Sequence, residues 1–247
     1  MSKQPGTKRK TATASTRKGK RSSSNIVNAA LDLIRERGYE ATTMRAIAER
    51  AGVSLGNAYH YYPSKAHLIQ AFYHRLHEEH LAAALPVLSS PSSLKARLLK
   101  IMQLQISIME PYHQFAGALF KTAADPRSPL NPFADDSSPV RRKSLHLFEE
   151  LLASSNTRVP KDLAAELPYL LWLYHMGIIL FWIHDFSPKQ RRTYKLLEQT
   201  VELLDKLISL ASNPLMRPVR KRALSVLTEL RDEIRAEGSL QTADGTI

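Results

Sequence analysis

The sequence predicts an all-α fold, with a small N-terminal unit of short helices followed by a larger C-terminal helical bundle. Three observations carry this. Apolar residues recur at helical spacing from Ser24 onward, and no stretch alternates apolar and polar residues as a half-buried strand does. Glycine, proline and serine clusters punctuate the chain at intervals suited to helix–helix connections. With 247 residues, 43% of them hydrophobic, the chain is long enough to bury a sizeable core.

The leading segment stands apart. Residues 1–21 hold Lys3, Lys8, Arg9, Lys10, Arg17, Lys18, Lys20 and Arg21 and no acid, so eight charges sit here and only +4 of the net +12 is left elsewhere. Rich in Ser, Thr and Lys, residues 1–22 cannot bury enough surface to offset their chain entropy, and a disordered basic tail is expected. The segment has no apolar run of the secretory type. Either it is a solubilising leader, or it is a basic arm that adds salt-sensitive phosphate contacts or enters a minor groove.

A first helix is expected over about 24–37, with Ile26, Ala29, Ala30, Leu33 and Ile34 on one face and Gly38 closing it. Two short helices follow, and Ser64 opens a long one to about Leu85, where Pro86 and the serines at 89–93 break the pattern. Further helices are expected at 94–109 and 112–124. Pro126, Pro129, Pro132 and Pro139 then mark a loop with room to move. Helices resume at 140–154, 161–184, 188–211 and 215–237. The division is therefore a tail at 1–22, a unit of short helices at 23–70, a larger C-terminal helical domain at 71–238, and a frayed end at 239–247.

The segment from Thr42 to Tyr62 has the local chemistry of a helix-turn-helix. Thr43 can cap the first helix and Ser54 the second. Gly52 supplies the positive φ of the sharp turn, Ala48 allows a close helix crossing, and Ile47, Ala51, Val53 and Ala58 form the inward face. Leu55, Gly56, Asn57, Tyr59, His60 and Tyr61 then remain outward on the second helix, whose N-terminal residues meet base edges in such motifs. Gly56 permits close approach to DNA, Asn57 suits adenine, Leu55 a thymine methyl, and Tyr59, His60 and Tyr61 phosphates. Lys65 opens the next helix, where its ammonium and nearby backbone N–H groups suit a phosphate. A helical hairpin that merely packs is the competing reading.

At these residues the sequence resembles the tetracycline-repressor (TetR) family of bacterial regulators. The resemblance runs from Arg37-Gly38-Tyr39 through Ala41-Thr42-Thr43-Met44-Arg45-Ala46-Ile47-Ala48 and Ala51-Gly52-Val53-Ser54. It continues over Gly56-Asn57-Ala58-Tyr59-His60-Tyr61-Tyr62 to Lys65 and Leu68, about residues 24–72 in all. It implies a homodimer whose second helices enter successive major grooves of a palindromic double-stranded operator. It also implies that Thr43, Arg45, Tyr59, Tyr61 and Lys65 touch DNA while Leu55, Gly56 and Asn57 set specificity. Tyr61-Tyr62 departs from the His-Phe of many members, and Pro63 precedes the next helix.

In the C-terminal body, Tyr194, Leu197, Val201, Leu204, Ile208 and Ala211 form a seam, and Leu196, Leu203, Leu207 and Leu210 a second row. One row can pack at home while the other meets a partner. Segment 167–183 is apolar enough to raise a membrane-spanning alternative, but it is short and carries His175, so a buried or subunit-interface helix is expected. The resemblance implies dimerisation through helices 161–184 and 188–211 and a small-molecule inducer. Candidate lining residues are Met102, Ile106, Met109, Phe115, Phe120, Trp172, His175 and Met176; plain core packing is the alternative for each. His74, His77 and His80 read as a solvated helix face and not as a metal site.

Cysteine is absent, which excludes disulfides, thiolate zinc sites and cysteine nucleophiles and fits a reducing, cytoplasmic, nucleoid-associated setting. No catalytic constellation or cofactor motif is found, so neither enzyme activity nor a cofactor is expected. The resulting expectation is a homodimeric, ligand-released repressor, with no membrane role. The alternatives are a ligand-independent nucleoid-associated or bridging factor and a helical enzyme with accessory DNA binding.

Overall fold

The computed structural model describes residues 8–229, and every regular element among them is helical. The expected frayed end at 239–247 and the close of the last helix lie outside the described residues. Helix α1 spans Lys8–Arg37 and so takes in most of the segment expected to be disordered. Apolar periodicity marks only the buried half of this helix, where Ile26, Val27, Ala29, Ala30, Leu33 and Ile34 are buried. The basic half carries no apolar stripe to read, yet extending a helix already nucleated costs little.

Three helices follow: α2 (Met44–Arg50), α3 (Leu55–Tyr61) and α4 (Lys65–Leu88). The expected break at Pro86 does not occur. Proline there lies in the last turn of α4; it removes one backbone donor, and the helix closes two residues later at Leu88. The remaining helices are α5 (Leu94–Met109), α6 (His113–Ala123), α7 (Ser138–Ala153), α8 (Lys161–Ile183) and α9 (Arg191–Ala211), with further helix over 217–229.

The chain divides into two compact units, one formed by residues up to Glu79 with Ile108–Arg142, the other by His80–Ser107 with the residues from Lys143 on. The division differs from a single boundary near residue 70. The cause is apolar: Phe115, Leu119, Ala123 and Leu130 are buried in the same core as Leu68, Ile69, Phe72 and the inner face of α1. Phe72 meets Tyr112 edge-on at 4.8 Å between ring centroids and lies 6.4 Å from Phe115. The proline-rich loop after α6 is tied down rather than loose. Leu130 is buried in the core, and Gln70 Nε2 donates to the Pro129 carbonyl at 3.0 Å.

The second unit buries Ile101 and Met102 of α5, Leu147, Phe148 and Leu151 of α7, Leu171, Trp172, Ile178 and Trp182 of α8, and Leu197, Val201 and Ile208 of α9. Side chains of this size each contribute about 1.5–3 kcal/mol when fully buried. Buried Arg97 clamps the turns that follow α4 and α7, donating to the Ser154 carbonyl at 2.7 Å and the Ser90 carbonyl at 2.6 Å. The expected solvated histidine face is overturned. His74 is exposed, but His77 and His80 are buried, because steps of three residues rotate a side chain by about 60° each. His80 Nε2 donates to the Ile101 carbonyl at 2.9 Å, and burial lowers its pKa, keeping the ring neutral.

Helix α8 is long and apolar enough to cross a membrane by length and composition alone. In this unit its Leu171, Trp172, His175, Ile178 and Trp182 are buried, while Leu180 and Phe181 are exposed. Helices α8 and α9 are joined through Tyr174 and Thr200, whose hydroxyls lie 2.6 Å apart. Between them α9 starts later than expected, at Arg191, because Lys189 and Gln190 take left-handed backbone angles (φ 54° and 46°). Buried Asp185 anchors this corner. Its carboxylate accepts from Ser187 N at 3.0 Å, Thr193 N at 2.8 Å and Thr193 Oγ1 at 2.8 Å.

Burial alone pushes the Asp185 carboxyl up, but the bonds from Ser187 and Thr193 outweigh it and hold the pKa down to about 2. The folded value lies below the unfolded value of about 3.9. The stabilisation is therefore complete above pH 4 and is lost as pH falls toward 2. Replacing Asp185 with Asn should cost about 2 kcal/mol at neutral pH. In urea titrations it should also flatten the acid dependence of stability over that interval.

Candidate nucleic-acid interface

Two threonines with different tasks open the helix-turn-helix. Thr43 is exposed and caps α2, its Oγ1 accepting from Ala46 N at 3.2 Å. Its neighbour Thr42 is fully buried and donates through Oγ1 to the Gly38 carbonyl at 2.8 Å. Thr42 belongs to the support of the site although nothing in its sequence position separates it from Thr43; only burial does. Gly38 (φ 85°) and Gly52 (φ 67°) both sit in the left-handed region that the turns require.

The close crossing of the two helices rests on small residues. Ala48 and Ala58 are buried, Ile47 with them, and Val53 N donates to the Ala48 carbonyl at 3.0 Å. Ser54 caps α3 by accepting from Asn57 N at 3.2 Å. Ala58 is thus the buried centre of α3, and the helix is oriented around it.

What remains outside is narrower than the sequence alone implies. Gly56, Tyr59 and His60 are exposed and Asn57 is partly exposed, so the outer face of α3 consists of these four. Leu55 and Tyr61 are half-buried and pack against the core of the first unit. Three-residue spacing puts both on flanks of the Ala58 face, which draws their side chains inward. An added Cβ at Gly56 would meet nothing within 4 Å. The protein's own packing gives no reason for glycine there.

The charges are few. Arg45 is exposed and forms no ion pair among the described residues. Arg50, by contrast, is held bidentately by Glu36 at 2.7 and 2.8 Å, and the arginine lowers the glutamate pKa. Lys65 is also committed. Its Nζ donates to the Tyr39 carbonyl at 2.7 Å and lies 4.4 Å from the centroid of the Tyr39 ring. It ties the start of α4 to the turn after α1. A phosphate contact there would be shared with this bond.

The ligand candidates do not all converge. Met102, Ile106, Trp172 and His175 are buried in the second unit and Met176 is half-buried there. Phe148 lies 6.1 Å and His80 6.4 Å from the His175 ring, between centroids. Met109, Phe115 and Phe120 fall in the first unit, where Phe115 completes the aromatic cluster with Phe72 and Tyr112. Helical spacing puts all eight on apolar faces without showing which core each face enters.

Comparison with known proteins gives two family matches. The family described as bacterial regulatory proteins, tetR family, matches residues 26–72, and the tetracyclin repressor-like C-terminal domain matches residues 97–225. The HTH-type transcriptional repressor KstR of Rhodococcus jostii is 54% identical over 44 residues, a stretch covering 18% of this chain and only 21% of that protein. Among solved structures, the fatty acid degradation regulator FadR from Bacillus halodurans superposes with a TM-score of 0.57 at 16% identity, over 73% of this chain and 94% of that one. The transcriptional regulator FadR from Bacillus subtilis, in complex with stearoyl-CoA, gives 0.57 at 14% identity, over 72% and 96%. At such identities these two share the fold.

Gly56 supplies the sharpest check on the interface. With open space around it, Gly56→Ala should raise unfolding free energy by up to about 1 kcal/mol, since alanine favours helix over glycine. The same change should weaken DNA binding about tenfold or more in fluorescence anisotropy, because the new methyl group stands between backbone and base edges. Equal affinity would show that α3 does not approach DNA at this point.

Proposed function

We propose a function that proceeds from one premise: the chain belongs to the tetracycline-repressor family of DNA-binding transcriptional regulators. It works as a homodimeric repressor on chromosomal DNA in the cytoplasm, holding a palindromic operator and releasing it when a small molecule binds. The observation that carries this reading is the double face of α9. Leu197, Val201 and Ile208 are buried, whereas Leu203, Leu207 and Leu210 of the same helix are 54%, 49% and 51% exposed. Leu180 and Phe181 of α8 are exposed as well. A leucine row of this kind is unfavourable in water and favourable against its own copy.

A two-fold dimer through α8 and α9 presents two copies of α3, which accounts for a palindromic site. Within each half-site, Asn57 and Gly56 read base edges while Thr43, Arg45, Tyr59 and His60 hold the backbone. Leu55 and Tyr61 help mainly by seating α3, and Lys65 by fixing the turn at Tyr39 beside any phosphate it shares.

The inducer site lies in the second unit around Met102, Ile106, Trp172, His175 and Met176. The apolar walls suit a hydrophobic ligand and His175 supplies a polar group to orient it. A related fold holds stearoyl-CoA in the Bacillus subtilis FadR structure, which supports the general idea that this architecture accommodates a ligand. Helix α4 contributes residues to both units. A ligand that prefers one position of that helix would change the spacing of the two reading heads, in proportion to its differential affinity for the two states.

The principal test is a gel shift against the promoter region of the chain's own gene and against genomic fragments. Selective retention of a palindromic fragment is expected; failure to retain any fragment selectively overturns the reading. Asn57→Ala should change which sequence is preferred, while Lys65→Ala should weaken all sequences alike and lower the melting temperature too. Dimerisation has its own readout. Leu207→Lys, at an exposed position, should leave the helical circular dichroism unchanged and convert the sedimenting species from dimer to monomer.

A further inference from the structure

The basic segment ahead of the helix-turn-helix is continuous with α1. Seven cations, Lys8, Arg9, Lys10, Arg17, Lys18, Lys20 and Arg21, fall between the start of this helix and Arg21 with no acid among them. The same stretch is seated beside the C-terminal end of α3. Ser23 Oγ and Tyr62 Oη lie 2.6 Å apart, and one turn earlier a Cβ at Gly19 would lie 3.4 Å from Tyr61 Oη. Glycine and serine at these two positions let α1 pass close to the tyrosines that end the reading helix. A helix from Lys8 to Arg21 is about 20 Å long at 1.5 Å per residue. That length matches about six base pairs of duplex at 3.4 Å each, and duplex DNA carries a phosphate charge on both strands at every step.

We propose that the N-terminal half of α1 is a second DNA-binding element, a basic helix braced on Tyr61 and Tyr62 that grips backbone phosphates flanking the half-site read by α3. This rests on the DNA-binding function proposed above and adds to it a defined length and a defined chemistry. The element is sequence-blind, because phosphate contacts position a protein without reading bases. Its seven positive charges are uncompensated by any acid of their own segment, so each phosphate they neutralise releases condensed counterions and steepens the salt dependence of binding.

The test uses the full chain and its selected operator. In the variant R9Q/K10Q/R17Q/K18Q/K20Q/R21Q, the slope of log affinity against log salt should fall by about 0.9 for each phosphate no longer neutralised. A total of two units or more per arm is expected, with operator preference unchanged. The hydroxyl-radical footprint should shorten by about six base pairs on each outer side, the length of the helix. Ala14→Pro keeps every charge but interrupts the helix, and should shorten the footprint as well. Unfolding curves matching the parent chain establish that the variants fold. Unchanged slope and footprint in the six-fold variant, with the parent chain binding its operator normally, overturns the arm and leaves the family function standing. An unchanged footprint in Ala14→Pro overturns the braced helix. Loss of binding to phosphatidylglycerol vesicles with an intact footprint would assign the charges to a lipid surface instead and overturn the proposal. A parent chain that selects no operator defeats the DNA-binding function and the arm together.

Discussion

The helix-turn-helix depends on one constraint, the small buried residues Ala48 on α2 and Ala58 on α3 in a shared core. Both are buried, and a larger side chain at either point would force the helices apart and strain a core already close-packed. With Ala58 at the centre of its inner face and Leu55 and Tyr61 on the flanks, α3 turns Gly56, Asn57, Tyr59 and His60 outward. Gly52, at φ 67°, makes the turn into that position possible, and the serine and threonine caps satisfy the backbone donors that the two short helices leave open. At seven residues each, α2 and α3 would not persist alone in water. Their stability comes from packing on α1 and α4.

The second unit solves a different problem with the same means. Its long helices are apolar on more than one side, and the unit has room to bury only one side of α9. Leu197, Val201 and Ile208 go inward, which leaves the row at Leu203, Leu207 and Leu210 facing out. The corner before α9 shows how firmly that orientation is held. Two consecutive non-glycine residues accept left-handed backbone angles, and Asp185 gives its carboxylate to three donors across the turn. Strain of this kind, on the order of 1–3 kcal/mol per residue, persists only where surrounding contacts over-determine the conformation.

Much of the interface was legible beforehand because its requirements are local. A cap needs a hydroxyl next to a helix start, a sharp turn needs a residue that tolerates positive φ, and a close crossing needs alanine. Thr43, Ser54, Gly52 and Ala48 meet these requirements within a few residues of where they act. The residues whose state sequence does not give are those that depend on a distant partner. His77 and His80 share their spacing with exposed His74, yet they are buried. Lys65 looks like a free cation in sequence, and its bond to Tyr39 spans 26 positions. Phe115 sits on an apolar helix face as Met102 does, and the two belong to different cores.

By itself, then, the sequence determined the all-α class, the order of the helices, the caps and glycine turns of the reading head, and the two leucine rows of α9. Each follows from backbone preference or helical period, and both act over a few residues. Only the tertiary structure decided which α9 row is buried, that α6 packs with the N-terminal helices, that Leu55 and Tyr61 seat the reading helix, and that the basic leader continues α1 beside Tyr61 and Tyr62. Periodicity identifies a face without naming what covers it. Burial is a property of the partner surface, and that surface exists only once the chain has folded.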